Sequence, residues 1–192
     1  MYTNYHNLRI IISLPTLLLT PIGRGPVILE ILVIRHGKSS WKYPKLEDRE
    51  RPLNQRGKRD AQEMGRRLGA RGFFPDLVLS SPTQRSLSTG LIIASQLGVR
   101  ERLIRLDTRI YHNEVRELLA LLREIPETKR RVMLIGHDTG VPLLVNALAG
   151  QSMAHVPTCA MACVRLDIDA WSKLETGEGK LVFYDYPKKG VS

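Results

Sequence analysis

Segments of strand length alternate with segments of helical periodicity from residue 27 onward, and this alternation limits the possible folds more than any other feature. Residues 27–34 form a nearly continuous apolar run, and residues 132–135 form another. Such runs are typical of strands that are covered on both faces in a parallel sheet. No linker long enough to mark a domain boundary interrupts the alternation. We therefore predict a single three-layer α/β domain, with a mostly parallel central sheet flanked by helices.

The remaining elements are predicted from periodicity and from residues that start or stop helices. We predict helices at residues 56–71, 82–97, 113–125 and 138–148. We predict further strands at residues 76–81, 161–168 and 181–184, and residues 102–110 are compatible with one more. Asn54 and Asn113 are the expected N-caps of the first and third helices, because an asparagine side chain can accept a bond from a free helical N–H group.

The first 26 residues differ from the rest of the chain, because their apolar stretch is broken by Pro15, Pro21 and Pro26. The stretch is too short and too interrupted for a membrane-spanning helix. A signal peptide would have a basic start and a small-residue cleavage site, and His6 and Arg9 make only a weak basic start. We expect residues 1–26 to be a disordered N-terminal extension, with a targeting segment as the alternative, and residues 27–192 to form the domain. The expected location is cytoplasmic, without membrane association.

A formal net charge of +10 is compatible with a nucleic acid, an anionic membrane surface or an anionic substrate as partner. The 29 lysines and arginines are dispersed, however, and the densest cluster, residues 129–131, directly precedes a strand-like run. We therefore expect an anionic substrate and no nucleic acid partner. A non-catalytic basic binding protein is a distant alternative.

Unusual polar residues follow three of the predicted strands. Arg35 and His36 follow the first strand, Arg85 lies in the first turn of the helix after the second, and His137 ends the run at 132–137. Because ligands of open α/β sheets bind at the carboxyl ends of the strands, we expect these four side chains to converge. Two arginine forks can hold a phosphoryl group from different sides, and a histidine between them can attack phosphorus. The pattern predicts a site for phosphoryl transfer.

The segments "IRHG", "SSPTQRS" and "IGHD" resemble, in order and spacing, the motifs of the histidine phosphatase superfamily. The resemblance covers roughly residues 31–184, and "RHGKSSW" with "RPLNQRG" is most like the SixA-type phosphohistidine phosphatases. It implies a fold like that of phosphoglycerate mutases. It makes His36 the phosphorylated nucleophile and His137 a partner that stabilises the transferring group. The substrate-binding residues that it implies are Arg35, Gly37, Ser39, Arg85 and His137.

Asp138 stands where many relatives have asparagine. A carboxylate aimed at a phosphate is unfavourable, so we expect Asp138 to face helix N–H groups or Arg35. A structural bridge between Arg35 and Asp138 is an alternative role for both. A metal site built from His36, His137 and Asp138 is a further alternative, but Arg35 would oppose a cation. We expect no metal and no cofactor.

Arg51, in "RPLNQRG", either contacts the site or belongs to a turn before a helix. Residues that we expect to be structural are His6, His112, His155, Cys159 and Cys163. The two cysteines lie four positions apart in an apolar run, which favours reduced core residues over a disulfide or a metal site.

Phosphatases of this superfamily that cleave esters generally carry a glutamate that protonates the departing alkoxide. The candidates here are Glu101, Asp107, Glu114 and Glu117, and none matches that motif. The mutase-like branch commonly has glutamate directly after the RHG motif and asparagine a few residues on, whereas this chain has Lys38 and Lys42. A phosphohistidine departs as neutral imidazole and needs no strong acid. We therefore predict that the substrate is phosphohistidine in a protein, with a small phosphoester as the alternative, and a monomer or weak dimer.

Overall fold

Six strands of the computed structural model, which describes residues 28–189, form one mixed sheet. They are β1 (Leu29–Arg35), β2 (Leu77–Ser80), β3 (Ile104–Leu106), β4 (Arg131–Gly136), β5 (Met161–Leu166) and β6 (Lys180–Asp185). Their order across the sheet is β3-β2-β4-β1-β5-β6. The pairs among β1 to β4 are parallel, and β5 is antiparallel to both β1 and β6. The predicted mostly parallel sheet is therefore confirmed, with β5 as the one reversed strand among the described residues.

Within residues 28–189, five α-helices cover this sheet. They are α1 (Gln55–Ala70), α2 (Gln84–Gln96), α3 (Arg109–His112), α4 (Val115–Arg123) and α5 (Gly140–Ala149). Short 3-10 helices lie at Asp48–Glu50, Glu101–Leu103 and Trp171–Lys173. Residues 102–110 were compatible with one strand, but only three of them pair with β2, and the chain then turns into α3.

The alternating side chains of β1 show why the fold has three layers. Leu29, Ile31 and Val33 belong to the core cluster shared with α4 and α5, whereas Leu32 and Ile34 belong to the cluster shared with α1 and α2. Successive side chains of a strand point to opposite faces, so an apolar run covers both. The predicted three-layer arrangement is confirmed.

Two asparagines predicted as N-caps behave differently. The Asn54 side chain accepts a 2.8 Å bond from the backbone N–H of Gly57, as expected for the N-cap of α1. The assignment of Asn113 was wrong, because its φ of 65° places it at the C-terminal end of α3, and Glu114 precedes α4 instead. Asparagine tolerates this left-handed conformation, which lets the chain reverse between the two helices.

Other predictions about the whole chain have mixed outcomes. Cys159 and Cys163 are free and buried, as predicted. The predicted extension at residues 1–26, and with it His6, lies outside the described residues. Within residues 28–189, no helix combines the length and the apolar character needed to cross a membrane.

Candidate active site

A cavity of about 580 Å³ opens at the carboxyl ends of β1 and β4, beside the start of α2. Arg35 ends β1 and is paired with Gly136, which ends β4, so the histidines that follow each of them are neighbours. The cavity is lined by Arg35, His36, Arg85 and His137, and the segments around it add Ser39, Asp48, Arg51, Tyr111, His112 and Asp138. The structure thus brings together the four residues that the strand ends indicated.

The hydrogen bonds of His36 determine which of its ring nitrogens carries the proton. The Nε group of Arg85 lies 3.2 Å from Nε2 of His36 and can only donate, so Nε2 accepts. Nδ1 therefore carries the proton and donates to the carbonyl oxygen of Gly37 at 2.7 Å. Burial lowers the pKa of His36 to about 4, and the charges of Arg85 and Arg35 add to this although the Gly37 bond opposes it. His36 is thus a neutral imidazole at neutral pH, with its lone pair on Nε2.

His137 lies against His36, with 5.1 Å between the ring centroids. Its Nδ1 lies 3.4 Å from Nη2 of Arg85, so Nδ1 accepts and Nε2 donates to Oγ of Ser81 at 2.8 Å. Burial, followed by the charges of His36 and Arg85, lowers the pKa of His137 to about 3. A phosphoryl group beside the ring would raise this pKa again, because a negative charge favours the imidazolium form.

Arg35 is held by one backbone carbonyl and one carboxylate. Its Nη1 donates to the carbonyl oxygen of Val156 at 2.6 Å and lies 2.8 Å from Oδ1 of Asp138. Its buried Nε has no hydrogen-bond partner among the described residues and can donate further. Burial lowers the pKa of Arg35, and the charge of Asp138 opposes that shift. Asp138 therefore faces Arg35, which was one of the two orientations expected for it.

Arg85 is held in the same way by Asp48, a residue to which sequence reasoning assigned no role. Nη1 of Arg85 donates to the backbone carbonyl of Asp48, and Nη2 donates to Oδ2 of its side chain at 2.8 Å. Partial burial raises the pKa of Asp48, but the bond and charge of Arg85 and the charge of Arg51 outweigh it, so that the pKa lies below its usual value. Asp48 lies 37 positions from Arg85 in a charged segment without periodicity, so no local pattern indicated this contact.

Of the predicted substrate contacts Gly37 and Ser39, the structure places only Ser39 in the cavity lining. Gly37 does not line the cavity: its N–H donates to Oγ1 of Thr89 at 3.0 Å, and a Cβ at this position would lie 2.9 Å from the carbonyl oxygen of Gly57. A glycine is needed here for packing against α1. Ser39 does line the cavity, and its Oγ accepts a 2.6 Å bond from Nη2 of Arg51.

The rim of the cavity contains residues that the sequence did not assign to the site. His112, expected to be structural, lines the cavity, and the Tyr111 ring lies 5.7 Å from the His137 ring. The Arg51 guanidinium lies 3.5 Å above the Trp41 ring, so Arg51 belongs to the rim as well as to its turn. Trp41 could have been suspected from its place after the RHG motif. Tyr111 and His112 lie at the end of α3, directly after residues 102–110, which the sequence left compatible with a strand. Their place in the site was therefore not predicted.

None of the four carboxylates considered as candidate proton donors, Glu101, Asp107, Glu114 and Glu117, lines the cavity. Asp107 lies 2.8 Å from Nη2 of Arg109 outside the site, and its pKa is lowered chiefly by that hydrogen bond. Of the described carboxylates, Asp48 and Asp138 line the cavity, each 2.8 Å from an arginine nitrogen. In the part of the chain that the structure describes, no group of three or more His, Cys, Asp or Glu side chains is placed to hold a metal ion.

The sequence profile of the histidine phosphatase superfamily (branch 1) matches residues 31–111 of this chain. An uncharacterised chloroplastic protein of Arabidopsis thaliana is 26% identical over 151 residues, which are 74% of this chain and 69% of that protein. The matched residues include Arg35, His36 and Arg85 of the cavity.

Solved structures share the fold. The protein histidine phosphatase SixA, complexed with tungstate, superposes with a TM-score of 0.73 at 23% identity, over 83% of this chain and 97% of that chain. A mycobacterial glucosyl-3-phosphoglycerate phosphatase superposes with a TM-score of 0.56 at 15% identity, over 81% and 97% of the two chains. The fold is therefore common to proteins named for quite different phosphorylated substrates.

Proposed function

We propose that the chain is a phosphatase of the histidine phosphatase superfamily, whose profile matches residues 31–111, and that it removes the phosphoryl group from phosphohistidine in a protein. The transient acceptor in this proposal is His36, and the phosphoryl oxygens are held by Arg35 and Arg85. His137 stabilises the group during transfer. The folded unit that carries this activity is residues 27–192.

In the first step, the Nε2 lone pair of His36 attacks phosphorus, and the bond from phosphorus to the nitrogen of the substrate imidazole breaks. The electron pair of that bond remains on the departing nitrogen, and the leaving ring is neutral because its other nitrogen keeps a proton. The proton of His36 stays on Nδ1, and its hydrogen bond to the Gly37 carbonyl stabilises the ring as it becomes cationic. The two arginines offset the charge on the phosphoryl oxygens.

In the second step, a water oxygen attacks phosphorus and the bond from phosphorus to Nε2 of His36 breaks. The electron pair returns to Nε2, and a proton of the water passes to a phosphate oxygen. The products are inorganic phosphate and the neutral imidazole of His36, which matches the protonation state imposed by Gly37 and Arg85.

One observation carries the choice of phosphohistidine. Of the described carboxylates, the two that line the cavity are both paired with arginines, and the pKa of Asp48 lies below its usual value. A carboxylate in that setting is a poor proton donor at neutral pH. The proposed substrate is therefore one whose leaving group departs without an acid, and a phosphorus–nitrogen bond meets this condition.

The test is a comparison of kcat/KM for a histidine-phosphorylated carrier protein, an aryl phosphate and an alkyl phosphate, with His36→Ala as the control. We expect phosphohistidine to react fastest and alkyl phosphates slowest, because the alkoxide is the poorest leaving group. Equal rates for alkyl phosphate and phosphohistidine, both lost in His36→Ala, would overturn the choice of substrate.

A small-molecule phosphomonoesterase is the second candidate. The aromatic rings of Trp41 and Tyr111 at the rim favour it, because they offer apolar surface to an organic leaving group. The mycobacterial phosphatase with the same fold is named for such a substrate. In this case Asp48 or Asp138 would have to leave its arginine and protonate the alkoxide, and kcat would fall steeply when that residue is replaced by asparagine.

We propose a cytoplasmic monomer or weak dimer that acts on a phosphorylated protein, without nucleic acid or membrane partners. The chloroplastic relative suggests the alternative of an organelle. Fluorescent fusions of the full chain and of residues 27–192 distinguish the two: identical cytoplasmic signals support the proposal, and organellar signal from the full chain alone contradicts it.

A further inference from the structure

The two arginines proposed to bind phosphate each have the same two kinds of partner, a backbone carbonyl and an aspartate carboxylate. Arg35 donates to the carbonyl of Val156 and forms an ion pair with the carboxylate of Asp138. Arg85 donates to the carbonyl of Asp48 and to the carboxylate of the same residue. Each guanidinium is thus fixed by one neutral backbone group and is neutralised by one charged group.

The exposure of the partners shows which of them can move. The side chains of Arg85 and Arg35 are 7% and 14% exposed, whereas those of Asp48 and Asp138 are 50% and 55% exposed. A half-exposed carboxylate loses little when it turns into water, because it recovers hydration. The buried guanidinium cannot follow it, and its bond to a backbone carbonyl keeps it in place.

A different cluster in the same molecule has the opposite arrangement. Asp185 accepts from Arg67 of α1 and from Arg71 at its end, and we call these three residues the C-terminal clasp. Here the carboxylate is 4% exposed, and the arginines are 21% and 45% exposed. The backbone N–H of Tyr186 also donates to Asp185 at 2.8 Å. The buried carboxylate is therefore committed to its protein partners.

The cavity carboxylates compete with a phosphoryl group for charge on the same guanidinium groups. A carboxylate oxygen 2.8 Å from an arginine nitrogen lies close to any phosphate that the same arginine binds, and two anions at such a distance repel each other. The repulsion is relieved when the carboxylate turns away from its arginine. Phosphate binding is then weakened by the free energy of the ion pair that is lost.

We propose that Asp48 and Asp138 are exchangeable counter-anions of Arg85 and Arg35. A bound phosphoryl group displaces the two carboxylates, and their competition weakens the binding of inorganic phosphate. They are positioning residues, since they act through the arginines, and they promote release of the product. The inference rests on the proposed function only in that the cavity binds a phosphoryl group.

The experiment measures binding of inorganic phosphate and of tungstate by calorimetry, and product inhibition by phosphate, for Asp138→Asn and Asp48→Asn. Asparagine retains an oxygen that accepts from arginine but removes the charge. We expect each variant to bind phosphate about tenfold more tightly, with a matching fall in the inhibition constant and an unchanged melting temperature. The control is Asp167→Asn, which removes the same charge from an exposed pair with Lys180 and should leave binding unchanged.

The outcomes separate this inference from the proposed function. If the wild-type protein binds neither phosphate nor tungstate, the proposed function fails. If it binds them, but Asp138→Asn and Asp48→Asn bind no more tightly than Asp167→Asn, the counter-anion role is wrong. Weaker binding combined with a lower melting temperature would also overturn it, because the carboxylates would then be structural.

Discussion

The cavity and the C-terminal clasp use the same residue types, arginine and aspartate, for opposite purposes. In the clasp, Asp185 is buried and accepts from Arg67 at 3.3 Å and from Arg71 at 3.0 Å, which ties α1 to the end of β6. In the cavity the arginines are buried and their carboxylates reach solvent. This contrast indicates that the buried member of an ion pair decides the role of the pair: a buried carboxylate fixes the fold, and a buried arginine remains available to an anionic ligand.

The largest effect is expected for the proposed nucleophile in the cavity. Replacing His36 by alanine removes the nitrogen proposed to accept the phosphoryl group, so kcat/KM should fall by at least about a thousandfold. The melting temperature should change by only a few degrees. Steady-state turnover of an aryl phosphate measures the loss. If turnover by the variant is close to that of the wild type, the nucleophile is a different group.

The clasp should respond to substitution in the opposite way. Asp185→Asn leaves Arg67 and Arg71 with a neutral partner at a buried position, and we expect the free energy of unfolding to fall by about 3 kcal/mol. Activity below the new melting temperature should be unchanged. Denaturant titration of Asp185→Asn and Asp138→Asn side by side tests the comparison. Equal losses of stability in both would remove the distinction between the two regions.

The arginines of the cavity and of the clasp are also expected to differ in whether lysine can replace them without loss of activity. Lysine keeps the charge but lacks the planar fork, so Arg85→Lys should lower kcat/KM by about tenfold to a thousandfold. The matched variant in the clasp, Arg67→Lys, should retain wild-type kcat/KM. An effect of Arg85→Lys on KM alone would mean that Arg85 binds substrate and transition state equally well.

A pH dependence of stability is also expected to arise in the cavity. The pKa of His36 is about 4 and that of His137 about 3 when folded, against 6.5 for an ordinary histidine. Below pH 6.5 the unfolded chain binds more protons than the folded one, so the free energy of unfolding falls as the pH is lowered towards 4. Replacing His137 by asparagine should make this fall shallower, and replacing the exposed His155 by glutamine should not. If the free energy of unfolding depends on pH equally in the wild type, His137→Asn and His155→Gln, this prediction is wrong.

The parts of the site that could be predicted are those set by local pattern. His36 and His137 follow apolar strands, and Arg85 follows the N-cap Thr83, so their positions were set once the strands were recognised. Parallel pairing of β1 with β4 then makes the two histidines neighbours.

The parts that escaped prediction depend on the path of loops. Asp48 lies in a charged 3-10 segment, and only the folded chain brings it to Arg85. His112 and Asn113 lie at a chain reversal whose positive φ has no periodic signature. Gly37 was assigned to the substrate from its place in the Arg-His-Gly motif, yet the requirement for glycine comes from the contact with α1.

The most direct test of His36 as the phosphoryl acceptor is rapid quench of the wild-type enzyme with substrate labelled in the phosphoryl group, followed by peptide mapping. We expect an acid-labile, base-stable adduct on the peptide that contains His36, which forms and decays within one turnover and is absent from His36→Ala. No adduct should be found on the peptides of the C-terminal clasp. A label on a different residue, or single-turnover conversion of substrate without any phosphorylated enzyme, would contradict the account.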